Sequence, residues 1–143
     1  MDQRESNKAK QIAGAAKAFE QDRTGHRPKS VTVVLGNEAL VIVLHGALSE
    51  AEKTLARDPH GAAQVQEFHQ QLFASAAGPL RREIERITGV KVREATAELE
   101  PPAGQVCKVL ASGTIVQVFL LAGNVDTDVW SDDQPTGAGA APD

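Results

Sequence analysis

Tyrosine is absent from this 143-residue chain, and only Phe19, Phe68, Phe73, Phe119 and Trp130 carry aromatic rings. A base-stacking platform needs several exposed rings on a basic surface. The balance of charge is also wrong for one: the net charge is −4 and the pI near 5.6, so nucleic acid is excluded as the main partner. Cysteine is nearly absent. Cys107 stands alone, which rules out an intrachain disulfide and a thiolate metal site within one chain, and points to a reducing cytoplasm. No apolar run approaches the roughly 18 residues that a spanning helix requires. The opening Met1-Asp2-Gln3-Arg4-Glu5 is charged and has no hydrophobic signal region. The expectation is a cytoplasmic protein without membrane insertion.

With so few rings, the core must be built from Val, Leu, Ile and Ala. Apolar residues at 41% suffice for one domain of this length. Residues 3 to 23 read as a helix with Ile12, Ala15, Ala16 and Phe19 on one stripe, stopped by Thr24-Gly25 and Pro28. Val31 to Leu35 and Ala39 to His45 read as two strands joined at Gly36-Asn37, a hairpin-turn pair. In that register Val31, Val33, Leu40, Ile42 and Leu44 share one face. Thr32, Val34, Val41 and Val43 share the other. Both faces are largely apolar, whereas a sheet covered on one side only should alternate.

Ser49-Glu50-Ala51-Glu52 matches a capping box at the start of a short helix. Asp58-Pro59-His60-Gly61 reads as a break, and a longer helix runs from near Ala62 to Gly89, with an interruption or kink expected at Gly78-Pro79. Val90 to Glu100 reads as a third strand, residues 101–113 as a long connection, and Thr114 to Leu121 as a fourth strand. The expected fold class is α+β in the order α-ββ-αα-ββ: a four-stranded, mainly antiparallel sheet with helices packed on one face. Residues 1–122 form the single domain, and 123–143 a disordered acidic tail rich in Gly, Ala and Pro. The apolar second face predicts a homodimer.

Catalytic motifs are missing. There is no G-x-S-x-G, P-loop, G-x-G-x-x-G or H-E-x-x-H. His60 and His69 are too far apart in sequence for a helical metal pair, and His69 reads as a packed or partly exposed helix residue. His26 and His45 fall near one end of the hairpin without a third ligand, so no metal and no cofactor is expected. The basic stretch Arg23, His26, Arg27 and Lys29 leads toward the capped helix. His26, Arg27, Lys29, His45 and Ser49 therefore define a candidate anion-binding site beside a helix N-terminus, set against the plainer reading of a solvated connector. Cys107, beside Lys108 in the long connection, reads as a tolerated loop cysteine.

Three stretches carry a family resemblance: Thr24-Gly25-His26-Arg27-Pro28-Lys29, Gly46-Ala47-Leu48-Ser49-Glu50-Ala51-Glu52-Lys53-Thr54-Leu55-Ala56, and Ile84-Glu85-Arg86-Ile87-Thr88-Gly89-Val90-Lys91-Val92. Over residues 5 to 122 the chain resembles the MpsC-like family. His26-Arg27 stands where that family has a second glycine, Ser49 where it has threonine, and His69 where it commonly has arginine. The resemblance implies a link to a sodium- and bicarbonate-coupled, membrane-potential-generating system, with a membrane-transporter subunit as a possible partner. The expected function is that of a non-enzymatic accessory or regulatory protein acting through protein contacts. A small-anion or nucleotide-sensing domain is the alternative.

Overall fold

The computed structural model describes residues 3–93, 105–110 and 112–131. In chain order the elements are α1 (Gln3–Thr24), β1 (Ser30–His45), α2 (Glu50–Leu55), α3 (Pro59–Thr88), β2 (Gln105–Val109) and β3 (Ile115–Ser131).

The two long helices end by the same device. Thr24 Oγ1 donates to Glu20 O at 2.8 Å and accepts from His26 N, and Gly25 follows in the left-handed region at φ 77°. Thr88 Oγ1 donates to Ile84 O at 2.8 Å and accepts from Val90 N, and Gly89 follows at φ 78°. A hydroxyl that closes the last turn and a residue free to turn left-handed stop each helix sharply. α2 carries the capping box in full.

α3 departs from expectation at two points. It begins at Pro59, not near Ala62, because proline is well suited to the first helical position and Asp58 Oδ1 accepts from Gly61 N at 2.8 Å. It also runs through Pro79 as one helix. Val65 and His69 before the proline and Leu80 and Ile84 after it are all buried, so burial along one continuous stripe outweighs the local cost of proline.

The described residues form a three-stranded antiparallel sheet in the order β1-β3-β2, where four strands are expected. The reason lies at Gly36-Asn37. Both residues stay within β1, and the register against β3 shifts on either side of Asn37, which sits at φ 53°. The expected open turn is thus an irregularity inside a strand. Sixteen extended residues would span roughly 50 Å. Yet Lys29 N donates to His45 O at 2.8 Å, and Thr32 Oγ1 shares a hydrogen bond with His45 Nε2 at 3.1 Å. β1 therefore doubles back near Asn37 and brings its two ends side by side.

β3 continues to Ser131, well into the segment 123–143 expected to be a disordered tail. Its second half pairs with the first half of β1, Val34 against Val129 and Val33 against Trp130. This tertiary pairing overrides the weak strand propensity of an Asp- and Gly-containing stretch. Residues 132–143 lie outside the described residues. β2 occupies part of the expected 101–113 connection. Of the expected strand over 90–100, Val92 bridges Leu121, and residues 94–104 lie outside the described residues.

The edge of the sheet has an unusual layout. Arg93 N donates to Leu120 O, and Gln105 is paired with Phe119, so the chain leaves the lane beside β3 at one rung and rejoins it at the next. α3 ties down both pieces. Gln66 Nε2 donates to Cys107 O at 3.2 Å and Gln66 Oε1 accepts from Val109 N at 2.7 Å, and Glu85 Oε2 accepts from Val92 N at 3.1 Å. Backbone groups of an edge strand that would otherwise face outward are thereby satisfied.

Helices α1 and α3 cover one face of the sheet. Val31, Val33, Leu35, Leu40, Ile42 and Leu44 of β1, with Ile115, Phe119 and Leu121 of β3, are buried beneath Ile12, Val65, Leu80 and Ile84. The odd positions before Asn37 and the even positions after it point inward, so the irregularity keeps both halves of β1 facing the core.

Candidate functional site

A polar cluster lies within this apolar interior where α1, α2 and α3 meet. Glu52 is placed by the cap of α2. Its Oε1 accepts from Ser49 N at 2.9 Å and Ser49 Oγ at 3.1 Å, which leaves Oε2 directed at α3. There it accepts from His69 Nε2 at 2.7 Å. An ionised carboxylate can only accept, so the imidazole proton on this side is on Nε2. The other ring nitrogen, Nδ1, lies 3.8 Å from Glu20 Oε2 of α1, beyond hydrogen-bonding reach but within strong electrostatic range. The His69 side chain is 2% exposed and that of Glu20 10%.

Two carboxylates thus flank one buried imidazole, and their environments push their acidities apart. Burial raises the Glu20 carboxyl from 4.5 to about 7, and the Glu52 charge adds to the effect. For Glu52, burial works upward, but the Ser49 backbone N–H and the His69 ring outweigh it and hold the carboxyl below its ordinary value. One acid exchanges its proton near neutrality and the other stays ionised.

A cavity of about 20 Å³, the room of one water molecule, adjoins the cluster and is lined by Glu20, His69, Phe73, Cys107 and Gln117. Glu20 Oε2 and Gln117 Oε1 are buried there without a hydrogen-bond partner. Burial, aided by the Glu20 charge, pushes the Cys107 thiol up to about 12. Cys107 is therefore a neutral thiol in the core and not an activated nucleophile. It belongs to β2, not to a loop. The cluster can bind and release a proton. Among the described residues no group of three or more His, Cys, Asp or Glu side chains is arranged to hold a metal ion.

The five residues expected to form an anion site are dispersed over three tasks. His26 Nε2 donates to Gly46 O at 3.1 Å, His45 bonds Thr32, and Lys29 packs its side chain over Gly46. These three do gather where the ends of β1 meet. Ser49 is committed to its cap. Arg27 turns away from the buried Pro28 into a separate groove with Lys10, Lys17 and Trp130.

Sequence reasoning missed the buried cluster. Its traces were His69 on the same helical stripe as Val65 and Leu72, and a capping glutamate that needs only one of its two oxygens for the cap.

A third feature is the sheet face opposite the helices. Val41 faces Val118, Val43 faces Val116, and Val34 faces Val129. With Ala39 and Leu120 they make a continuous aliphatic surface, half-buried in the middle and open at Val34 (43% exposed) and Val129 (55%).

The helices and the antiparallel sheet place the chain in the α+β class. Residues 4–111 match the family model described as "Na+-translocating membrane potential-generating system (MpsC)". The chain belongs to the MpsC family. The matched segment ends before β3, and no curated protein or solved structure matches the chain.

Proposed function

We propose that this protein is a non-catalytic accessory or regulatory subunit that works through protein contacts made by the open face of its sheet. The supporting observation is the aliphatic surface formed by Val34, Val41, Val43, Val116, Val118, Leu120 and Val129. An apolar sheet face of this kind is costly to leave in water and marks an interface. It carries no alternation of charge that would require a differently charged partner, so a two-fold contact with a second copy is the simplest cover. In this reading the homodimer is cytoplasmic and attends the membrane-embedded part of the sodium-coupled system named by its family, with bicarbonate-linked transport as the process served. No helix among the described residues is long and apolar enough to cross a membrane, so contact with membrane subunits would come through this folded domain.

Sedimentation equilibrium of the wild type and of a Val41→Glu, Val118→Glu double variant tests the reading. The wild type should sediment as a dimer. The variant should be monomeric with an unchanged far-ultraviolet spectrum, because both side chains lie on the open face. A monomeric wild type that also captures no transporter subunit when the two are co-expressed would overturn the proposal.

A further inference from the structure

α1 and the end of β3 bound a groove of about 390 Å³. Its walls carry Lys10 and Lys17 from α1, Arg27 from the connection after it, and the indole of Trp130 from β3. We infer that this groove is a binding site for a nucleotide, its phosphates held by Lys10 and Arg27 and its base by Trp130.

Three observations converge. The first is charge. The chain as a whole is acidic, at −4, yet three cationic side chains line this one groove. Asp128, two residues before Trp130, is turned aside to accept the backbone N–H of Ala9 at 3.0 Å. A cationic recess in an acidic surface concentrates small anions and repels acidic protein surfaces.

The second is the indole. Trp130 is partly buried against the core, so its ring is held in place, and the Lys10 ammonium lies 5.2 Å from its centroid. A cation above an indole is a modest, reversible contact at a solvent-accessible site. An arriving phosphate offers Lys10 a stronger charge-assisted partner. The ring face that Lys10 covers is then released for a flat base. Bulk anions such as phosphate or sulfate would use the cations and leave the indole unused.

The third is Gly14. It sits in the interior of α1, where glycine is the poorest residue after proline. A Cβ built on Gly14 would meet nothing within 4 Å among the described residues, so no contact with them requires a glycine there. Gly14 lines the groove and leaves the helix backbone bare at its floor. Close approach of a ligand accounts for a glycine that packing does not.

The volume suits a drug-sized or nucleotide-sized ligand. This site is independent of the sheet-face contact, and of the candidate anion residues it uses only Arg27.

Trp130 is the only tryptophan and the chain has no tyrosine, so intrinsic fluorescence reports on this groove alone. The full chain is titrated with ADP, adenosine and inorganic phosphate, with excitation at the red edge of the indole band. ADP should produce a saturable change, with adenosine and phosphate each binding at least about tenfold more weakly. Arg27→Ala and Lys10→Ala should each weaken ADP by about tenfold. Gly14→Ala should raise the melting temperature while weakening ADP, a combination that a purely structural glycine would not give. Absence of a saturable ADP signal overturns the inference. So does phosphate binding as tightly as ADP, which would reduce the site to an anion trap, or ADP affinity unchanged in Arg27→Ala.

Discussion

Replacing Glu20 by glutamine asks what a buried carboxylate costs this fold. Burial and the neighbouring Glu52 charge raise the Glu20 carboxyl from 4.5 to about 7. The folded state therefore holds its proton more tightly than the unfolded chain does. Stability from the protonated acid is complete below pH 4.5 and is lost as pH rises toward 7. Above pH 7 the ionised group costs about 3 kcal/mol, at about 1.4 kcal/mol per pH unit. The side chain is only 10% exposed, so solvent screening reduces this figure little. Glu52 has the opposite sign. Its lowered carboxyl stabilises the fold above pH 4.5, and that contribution disappears as pH falls. Glutamine keeps the shape of Glu20 and never ionises. At pH 8 Glu20→Gln should be more stable than wild type by about 2–3 kcal/mol, and at pH 5 nearly equal to it. Urea denaturation followed by Trp130 fluorescence at pH 5, 6, 7 and 8 measures both curves. Parallel curves, or a variant less stable at pH 8, would refute the assignment of a costly ionised acid to the α1–α2–α3 junction.

Three further outcomes follow from the same junction. Gly61→Ala should destabilise the fold by about 3 kcal/mol and weaken the Glu52–His69 bond, since a Cβ there would stand 1.9 Å from Leu55 O; the NMR resonance of the His69 Nε2–H proton, with and without the substitution, reports the bond. Ser49→Ala should cost about 1 kcal/mol in urea unfolding, because Glu52 loses its hydroxyl donor and the N-cap its acceptor. Cys107, neutral below about 12 and buried, should resist a thiol reagent at pH 8 in the native state and react fully in concentrated urea; rapid native labelling would place it outside the core.

Much of the frame was legible because local chemistry decides it. Ser49 and Glu52 announce a helix start by type and spacing, Thr24-Gly25 and Gly89 announce helix stops, and alternating valines announce strands. Gly36-Asn37 announced the reversal of β1, though the local residues alone did not show that both would stay within the sheet. Where distant partners decide, local reading fails. Residues 123–131 are a strand because the first half of β1 lies alongside. Pro79 is tolerated because a stripe of buried residues continues on both sides of it. The family resemblance was readable from the cap and the Thr-Gly stops, which the structure explains as folding devices. The candidate site was hardly legible. Glu20, Glu52 and His69 come from three helices, and nothing in their spacing along the chain shows that they converge.

The broken lane at the sheet edge has a practical corollary. Because Arg93 and Gln105 stand at neighbouring rungs of β3, fusing them directly would yield one unbroken strand. Across that join the ladder would keep the register it already has, Val92 opposite Leu121 and Gln105 opposite Phe119.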